Sequence, residues 1–325
     1  MSTARSRNRP PVLPRVVSTL LLCAVLTLLV AITYVGLEHV SGPIRSGVVE
    51  NIAANLITAS IFTVLGASAF VWLSVTQRRR LFRFFGVGRG TLDVRMYLSR
   101  LQIQPGGASG TEPITNGYVG PAIVKMDYDA GLLLVELFQP RALALIPDVL
   151  RDLLSTLFIS LAEVDAHIEV APTPEDFAED RHLTQPLVAC GGAIYNVISS
   201  HYLNQERSFY YFAKNAAGHR VMRARDPQAP DLEALGRSRG HELACIQRLR
   251  EPTSDSIVFV CAGLGSGATY GSVEYLVRNW RRLWHRYGDA EFGICLSFAT
   301  AEYDEMPDVT PKVVHQIGRP RGRAR

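Results

Sequence analysis

The chain has 325 residues, of which 47% are hydrophobic and 20% are charged, and its mean hydropathy is +0.10. This composition excludes a disordered or collagen-like chain, and the length allows one or two domains with a sizeable core. The net charge of +4 is spread over separate arginine clusters, so it does not indicate specific nucleic-acid binding.

Two long uncharged runs dominate the N-terminal part of the sequence. Residues 16–37 and 52–75 are each long enough to cross the ~30 Å apolar core of a bilayer as a helix. Four arginines precede the first run and four lie within residues 78–83, whereas the external connector 38–51 contains only Arg45. The excess of positive charge predicts a two-pass inner-membrane protein with both termini in the cytoplasm.

Basic segments flank this predicted transmembrane hairpin on both sides. Residues 1–15 form a basic cytoplasmic leader, and residues 76–90 form a basic, aromatic juxtamembrane linker. Phe82, Phe84 and Phe85 of this linker are expected at the membrane interface. Because the second run is rich in small and polar residues, we expect a homo-oligomer that associates through the hairpin in the lipid bilayer.

Strands and helices alternate over residues 91–318, and a basic tail, expected to be disordered, occupies residues 319–325. Residues 187–190 and 256–262 are predicted strands that pass through glycine turns into helices. Such units indicate a cytosolic, Rossmann-like α/β domain with a mostly parallel sheet. Further strands within residues 208–250 form an antiparallel insertion or an edge of that sheet. Four of the five cysteines lie in apolar strand-like runs and are expected to be buried thiols.

The segment FVCAGLGSGATYG, residues 259–271, contains the most specific motif of the chain. Its glycines and Ala268 match G-x-G-x-x-G/A between a strand and a helix, which is the context of a dinucleotide fingerprint. Glycines let a phosphate approach the backbone, and the N–H groups of a helix start favour an anion. The candidate ligand-binding residues of this turn are Gly263, Gly265, Ser266, Gly267 and Thr269.

A dinucleotide is nevertheless not the favoured ligand of this turn. The acidic residue that would bind a ribose is missing at the expected spacing of about 20 residues. A mononucleotide or another phosphate-bearing metabolite is therefore the preferred interpretation. The alternative is a tight strand-to-helix turn without a ligand, in which Thr269 caps the helix.

A second glycine turn, CGGAIYN at residues 190–196, follows the other strand. Ligands of open α/β sheets bind beyond the carboxyl ends of the strands, so two turns on one parallel sheet would line one pocket. Gly191, Gly192 and Asn196 would then face the turn at residues 263–267, with the Asn196 amide available to a base or sugar. The alternative is two independent glycine turns.

Residues suited to catalysis or metal binding are sparse. Asp127, Asp129 and Glu136 come nearest to paired carboxylates, but a solvated acidic surface is the favoured interpretation of them. His201 and His241 have no ligand partner at metal-site spacing. We therefore expect no metal, and the sequence identifies no cofactor.

Together these features predict a membrane-anchored cytosolic protein that binds a small anionic ligand, a nucleotide or another phosphate-bearing molecule. The layout resembles bacterial membrane-anchored sensor and effector proteins, in which a two-helix hairpin is coupled to a cytosolic ligand-binding domain. Two alternatives remain. One is an inner-membrane-tethered enzyme of nucleotide or sugar metabolism, and the other is a non-catalytic membrane scaffold.

Overall fold

The structure is a computed structural model that describes residues 32, 47–87, 93–103, 120–139, 164–177, 184–237, 241–299 and 311–318. The chain divides into two compact units, residues 1–79 with 140–162 and residues 80–139 with 163–325. Apart from Ile32, the described residues of the first unit all belong to helix α1, Gly47–Phe85, which continues into the second unit. The predicted leader, most of the first predicted span and the basic tail lie outside the described residues.

A seven-stranded mixed sheet forms the centre of the second unit. The strands of this unit are β1 Asp93–Leu98, β2 Leu101–Ile103, β3 Gly120–Ala122, β4 Asp165–Val170, β5 Leu187–Cys190, β6 Tyr210–Lys214, β7 Arg220–Ala224, β8 His241–Arg250, β9 Ile257–Gly263, β10 Phe292–Ala299 and β11 Lys312–Gly318. The order in the large sheet is β11-β10-β8-β9-β5-β1-β4. Strands β4, β1, β5 and β9 are parallel neighbours, and β8 and β11 run in the opposite direction. The prediction of a mostly parallel α/β sheet is confirmed.

The strands predicted within residues 208–250 separate into two structures. β6 and β7 form an antiparallel ribbon of their own, whereas β8 lies inside the large sheet between β9 and β10. Strands β2 and β3 form another short antiparallel pair.

Helices cover both faces of the large sheet. The helices after α1 are α2 Lys125–Phe138, α3 Pro174–Phe177, α4 Val197–Asn204, α5 Leu232–Arg237 and α6 Ser266–Tyr287. Apolar side chains of α2 and α6 join one buried cluster, and those of α4 and α5 join a second cluster on the other face. In α6 the buried residues follow helical spacing, from Val273 and Leu276 to Trp280, Leu283 and Trp284, as expected for an amphipathic helix against a sheet.

The predicted transmembrane hairpin is not supported. Among the described residues, no helix combines the length and the apolar composition that are needed to cross a bilayer. The second predicted span, residues 52–75, forms part of α1, a 39-residue helix that continues through the four arginines of residues 78–83 and ends at the buried Phe84 and Phe85. The transmembrane part of the fold prediction and the two-pass inner-membrane location are therefore corrected.

The aromatic residues assigned to a membrane interface belong instead to the protein core. Phe84 is fully buried and Phe85 is 1% exposed. Their rings pack on each other and on Phe259 of β9, with centroids 4.7–5.2 Å apart. Phe82 is also buried, so the end of α1 contributes to the hydrophobic core of the α/β unit.

The cysteines of the sheet behave as the sequence predicts. Cys190, Cys245, Cys261 and Cys295 are buried free thiols on four strands. Burial raises the pKa of the Cys245 thiol to about 12 and raises the pKa of the other three thiols as well. These thiols therefore stay protonated at neutral pH and are poor nucleophiles.

Candidate ligand-binding cleft

The carboxyl ends of β1, β5 and β9 lie side by side at one edge of the sheet. Leu98 pairs with Cys190, and Cys190 pairs with Cys261, so the three strands end at the same level. The helix after β5 packs on the opposite face from the helices after β1 and β9, which is the arrangement that leaves a crevice beyond the strand ends. The two predicted glycine turns therefore lie on neighbouring strands.

Gly191 shapes the turn after β5. Its φ is +128°, a region that favours glycine, and Ser99 Oγ occupies the space that a Cβ would fill. The Gly191 N–H donates to the Cys261 carbonyl over 2.9 Å. These contacts hold the turn against β1 and β9.

The turn after β9 leads into an uncapped helix. Gly265 is the N-cap residue of α6 and offers no side-chain acceptor to the first-turn N–H groups. Thr269, a predicted cap, lies inside the helix instead. Its hydroxyl accepts from the Gly263 N–H and donates to the Gly265 carbonyl, both over 3.1 Å. Thr269 therefore closes the turn and does not cap the first-turn N–H groups of α6.

The side chain of Asn196 forms hydrogen bonds only within the described fold. It is fully buried and caps α4, because its Oδ1 accepts from the N–H groups of Ile198 and Ser199 over 3.1 Å. Its Nδ2 donates to the carbonyls of Tyr97 and Cys190 over 2.8 and 3.1 Å. The side-chain amide thus fastens α4 to β1 and β5, and it is not directed to a ligand.

A cleft of about 210 Å³ joins the two glycine turns. Of the predicted site residues it brings together Gly192, Gly263, Gly265, Ser266 and Thr269, while Gly191, Gly267 and Asn196 are not among its lining residues. The other lining residues are Ser99, Leu101, Val124, Asp127, Tyr195, Arg220 and Leu264. The structure therefore places the two turns around one cleft.

Asp127 is buried in the wall of this cleft. It lies in the first turn of α2 and is 2% exposed, and its Oδ1 has no hydrogen-bond partner among the described residues. Burial raises the pKa of Asp127, an effect that a hydrogen bond with Ser99 partly offsets. The other two candidate carboxylates lie outside the cleft. Asp129 forms a surface ion pair with Lys125 over 2.5 Å, and Glu136 is exposed.

Arg220 lies where the cleft meets a second cavity of about 310 Å³. Both cavities share Arg220 and Leu264, and the second is otherwise lined mainly by residues 215–222 with Leu232 and Gly236. A Cβ at Gly192 would lie 3.9 Å from Arg220 Nη1, so the guanidinium approaches the first glycine turn. Within the described part of the chain it forms no ion pair or hydrogen bond.

One carboxylate lies near the start of α6 but is not part of the cleft lining. A Cβ at Gly265 would come within 2.7 Å of both Glu242 carboxylate oxygens. Glu242 therefore occupies one side of the helix start, where the helix dipole favours a negative charge. Gly265 and Ser266 at the helix start line the cleft together with Gly192 and Arg220.

The comparisons with known proteins identify no relative. No protein-family model, curated protein or solved structure matches the chain.

The cleft offers donors at one end and an acceptor in its wall. Arg220 and the first turn of α6 are suited to an anion, whereas Asp127 is suited to a hydrogen-bond donor. Among the residues described, no group of three or more His, Cys, Asp or Glu side chains is arranged to hold a metal ion. The arrangement can therefore hold a small polar molecule that has an anionic group.

In the sequence Asp127 is only one of three candidate carboxylates and Arg220 is not a candidate, yet the helical pattern of the sequence carries a signal for the burial of Asp127. Asp127, Ala130, Gly131, Leu134 and Phe138 are all buried and recur at helical spacing, which places Asp127 on the inner face of α2. Arg220 has no such signal, because it comes from the β6–β7 ribbon and approaches the cleft only in the folded chain.

We expect Asp127→Asn to stabilise the protein at neutral pH by about 1 kcal/mol, because a buried carboxylate oxygen without a partner is costly. In the folded protein the pKa of Asp127 is raised above its ordinary value of 3.8. The folded state therefore favours the protonated carboxyl group, and the wild-type protein loses stability as the pH rises from the unfolded to the folded pKa. Urea unfolding of both proteins at pH 3.5, below the ordinary pKa, and at pH 8 measures the difference.

The stabilisation by Asp127→Asn should be larger at the higher pH, and Asp129→Asn on the exposed side of α2 should show no such gain. A loss of stability in Asp127→Asn at both pH values would mean that the carboxylate supports the fold.

Proposed function

We propose that the α/β unit is a binding domain for a small phosphate-bearing metabolite, which it holds in the cleft beyond β1, β5 and β9. The observation that carries this proposal is the meeting of an uncapped helix start, two glycine turns and Arg220 around one cleft. Helix N–H groups and a guanidinium are common phosphate ligands, and glycines allow the close approach. The buried oxygen of Asp127 independently indicates a ligand in the same cleft.

The dimensions favour a small ligand, or a larger one that extends beyond the cleft. Sites for drug-sized molecules usually enclose ~300–1,000 Å³, and the cleft alone has about 210 Å³. The adjoining cavity offers about 310 Å³ next to apolar residues such as Val221, Met222 and Leu232. A nucleoside monophosphate would place its phosphate at α6 and its base in this second cavity, whereas a sugar phosphate would use the cleft alone.

Arg220→Gln tests the anion site. We expect it to weaken the binding of a phosphate ester about 10- to 100-fold, because one charge-assisted pair is lost. Calorimetric titration of the full chain with glycerol 3-phosphate and with adenosine monophosphate measures the change.

Arg223→Gln is the matched control for the anion site. It removes the same charge from the same strand, but Arg223 is exposed and pairs with Glu233 over 3.0 Å. Affinity should be unchanged in this variant. Equal losses in the two variants, or no binding to the wild-type chain, would contradict the proposal.

An enzymatic role has one specific observation in its favour. Of the three carboxylates considered from the sequence, only Asp127 lies in the cleft, and burial raises its pKa towards the range of a general acid. Conversion of a bound phosphate ester by the wild-type chain, lost in Asp127→Asn while binding persists, would favour an enzyme. Binding without conversion would favour a ligand-binding domain.

A further inference from the structure

We infer that Asp127 accepts a hydrogen bond from a hydroxyl group of the ligand, so that the cleft selects phosphorylated polyols over phosphate esters without hydroxyls. This inference rests on the proposed function, since it names the ligand class of the same cleft. It assigns Asp127 a role in specificity rather than in holding the anion.

The position of Asp127 supports this assignment. Its side chain is almost completely buried, lies in the cleft wall and keeps Oδ1 without a partner in the described structure. Buried polar atoms in native proteins almost always have a hydrogen-bond partner, so an orphaned acceptor beside a cleft indicates a group that arrives with the ligand. The Ser99 hydroxyl already interacts with this carboxyl group and restricts its orientation.

The groups suited to the anion and the carboxyl group of Asp127 come from different elements around the cleft. Arg220, Gly265 and Ser266 supply the positive end, and Asp127 comes from the separate helix α2. A carboxylate beside the phosphate would repel it, which argues that Asp127 faces the uncharged part of the ligand. The ligand then carries its phosphate and its hydroxyl on different atoms of a short skeleton.

A hydroxyl fits this environment better than an ammonium group. Burial favours the uncharged form of Asp127, and a hydroxyl can pair with either the neutral or the ionised carboxyl group. An ammonium group needs the ionised form and has to be desolvated as well. The small volume of the cleft suits a skeleton of a few carbon atoms.

Three probes of similar size separate these contributions. Glycerol 3-phosphate and propyl phosphate have the same carbon skeleton and differ in two hydroxyls, and phosphoethanolamine carries an ammonium group. We expect the full wild-type chain to bind glycerol 3-phosphate at least 10-fold more tightly than either of the other two esters. A preference for propyl phosphate or phosphoethanolamine would overturn the inference.

Substitutions in α2 test whether Asp127 causes the preference for glycerol 3-phosphate. Asp127→Ala should bind glycerol 3-phosphate and propyl phosphate equally, with the propyl phosphate affinity within about 3-fold of the wild type. Asp127→Asn keeps one acceptor oxygen and should retain part of the preference, while Asp129→Ala should retain all of it. Thermal melts establish that each variant is folded.

The outcomes distinguish the inference from the proposed function on which it rests. Suppose that glycerol 3-phosphate and propyl phosphate both bind, that Arg220→Gln weakens both, and that Asp127→Ala keeps the preference for the hydroxylated ester. The proposed anion site then stands, and the inference that Asp127 binds a ligand hydroxyl is wrong. If neither ester binds to the wild-type chain, the proposed function and the inference both fail.

Discussion

Replacement of Arg248 by leucine is expected to lower the free energy of unfolding by about 3–5 kcal/mol, because several backbone carbonyls would each lose their hydrogen-bond donor at ~1–3 kcal/mol apiece. Arg248 is 1% exposed in the middle of the sheet. Its Nε donates to the Phe84 carbonyl over 2.9 Å, and its Nη1 donates to the carbonyls of Asp289 and Ala290 over 2.6 and 2.9 Å. All of these carbonyls would lose a charged donor.

The position of Arg248 explains why the loss should be large. The last carbonyl groups of a helix have no partner within the helix, and Arg248 supplies one to the end of α1. Burial lowers the pKa of Arg248 to about 10, so the guanidinium remains charged at neutral pH. A leucine would fill part of the space but would satisfy none of the carbonyls.

Arg250→Leu is the matched control on the same strand. Arg250 donates to Asp255 over 2.9 Å and to the Asp289 carbonyl over 3.1 Å, but its side chain is partly exposed. Its loss should cost no more than ~1 kcal/mol, as for other surface ion pairs. Urea unfolding of the two variants measures the contrast, and similar losses in both would refute the assigned role of Arg248.

Gly191→Ala should destabilise the protein by about 3 kcal/mol or more. Its φ of +128° is strained for any residue with a Cβ, and the new methyl group would overlap Ser99 Oγ. The turn after β5 would have to move, together with the hydrogen bond from Gly191 N–H to Cys261. Thermal and urea unfolding measure the loss.

Substitutions at two other glycines separate the effect of the positive φ from that of the steric overlap. Gly218 also has a positive φ, +79°, but a Cβ there would contact nothing within 4 Å, so Gly218→Ala should cost only ~1 kcal/mol. Gly192→Ala has no positive φ, and its methyl group would lie 3.3 Å from the Gly263 carbonyl at the cleft. It should cost less stability than Gly191→Ala and weaken phosphate-ester binding. Equal destabilisation by all three would contradict the steric explanation.

Local patterns in the sequence predict the sheet and the place of the cleft well. The strand Leu187–Cys190 is found as predicted, and the strand predicted at residues 256–262 is shifted by one residue to Ile257–Gly263. Alternation of strands and helices implies that parallel strands end at one edge, so the meeting of two glycine turns follows from topology. Arg220 could not be assigned because only tertiary structure brings β7 to that edge.

The errors have physical causes as well. The arginines and phenylalanines at residues 78–85 fit a membrane boundary, but a helix that ends in a core has the same composition, with Phe84 and Phe85 turned inward. Asn196 fits both a ligand contact and a helix cap, and its four hydrogen bonds show the cap. Sequence alone does not reveal which polar side chains form hydrogen bonds within the folded protein and which are left for a ligand.

The most direct test of the proposed anion site is to locate a bound anion. A crystal structure of the full chain grown with tungstate, an electron-dense phosphate analogue, would show its position by anomalous scattering. We expect a peak in the cleft, in contact with Arg220 and with the backbone N–H groups at the start of α6. Tungstate found only outside the cleft, at concentrations that saturate the protein, would contradict it.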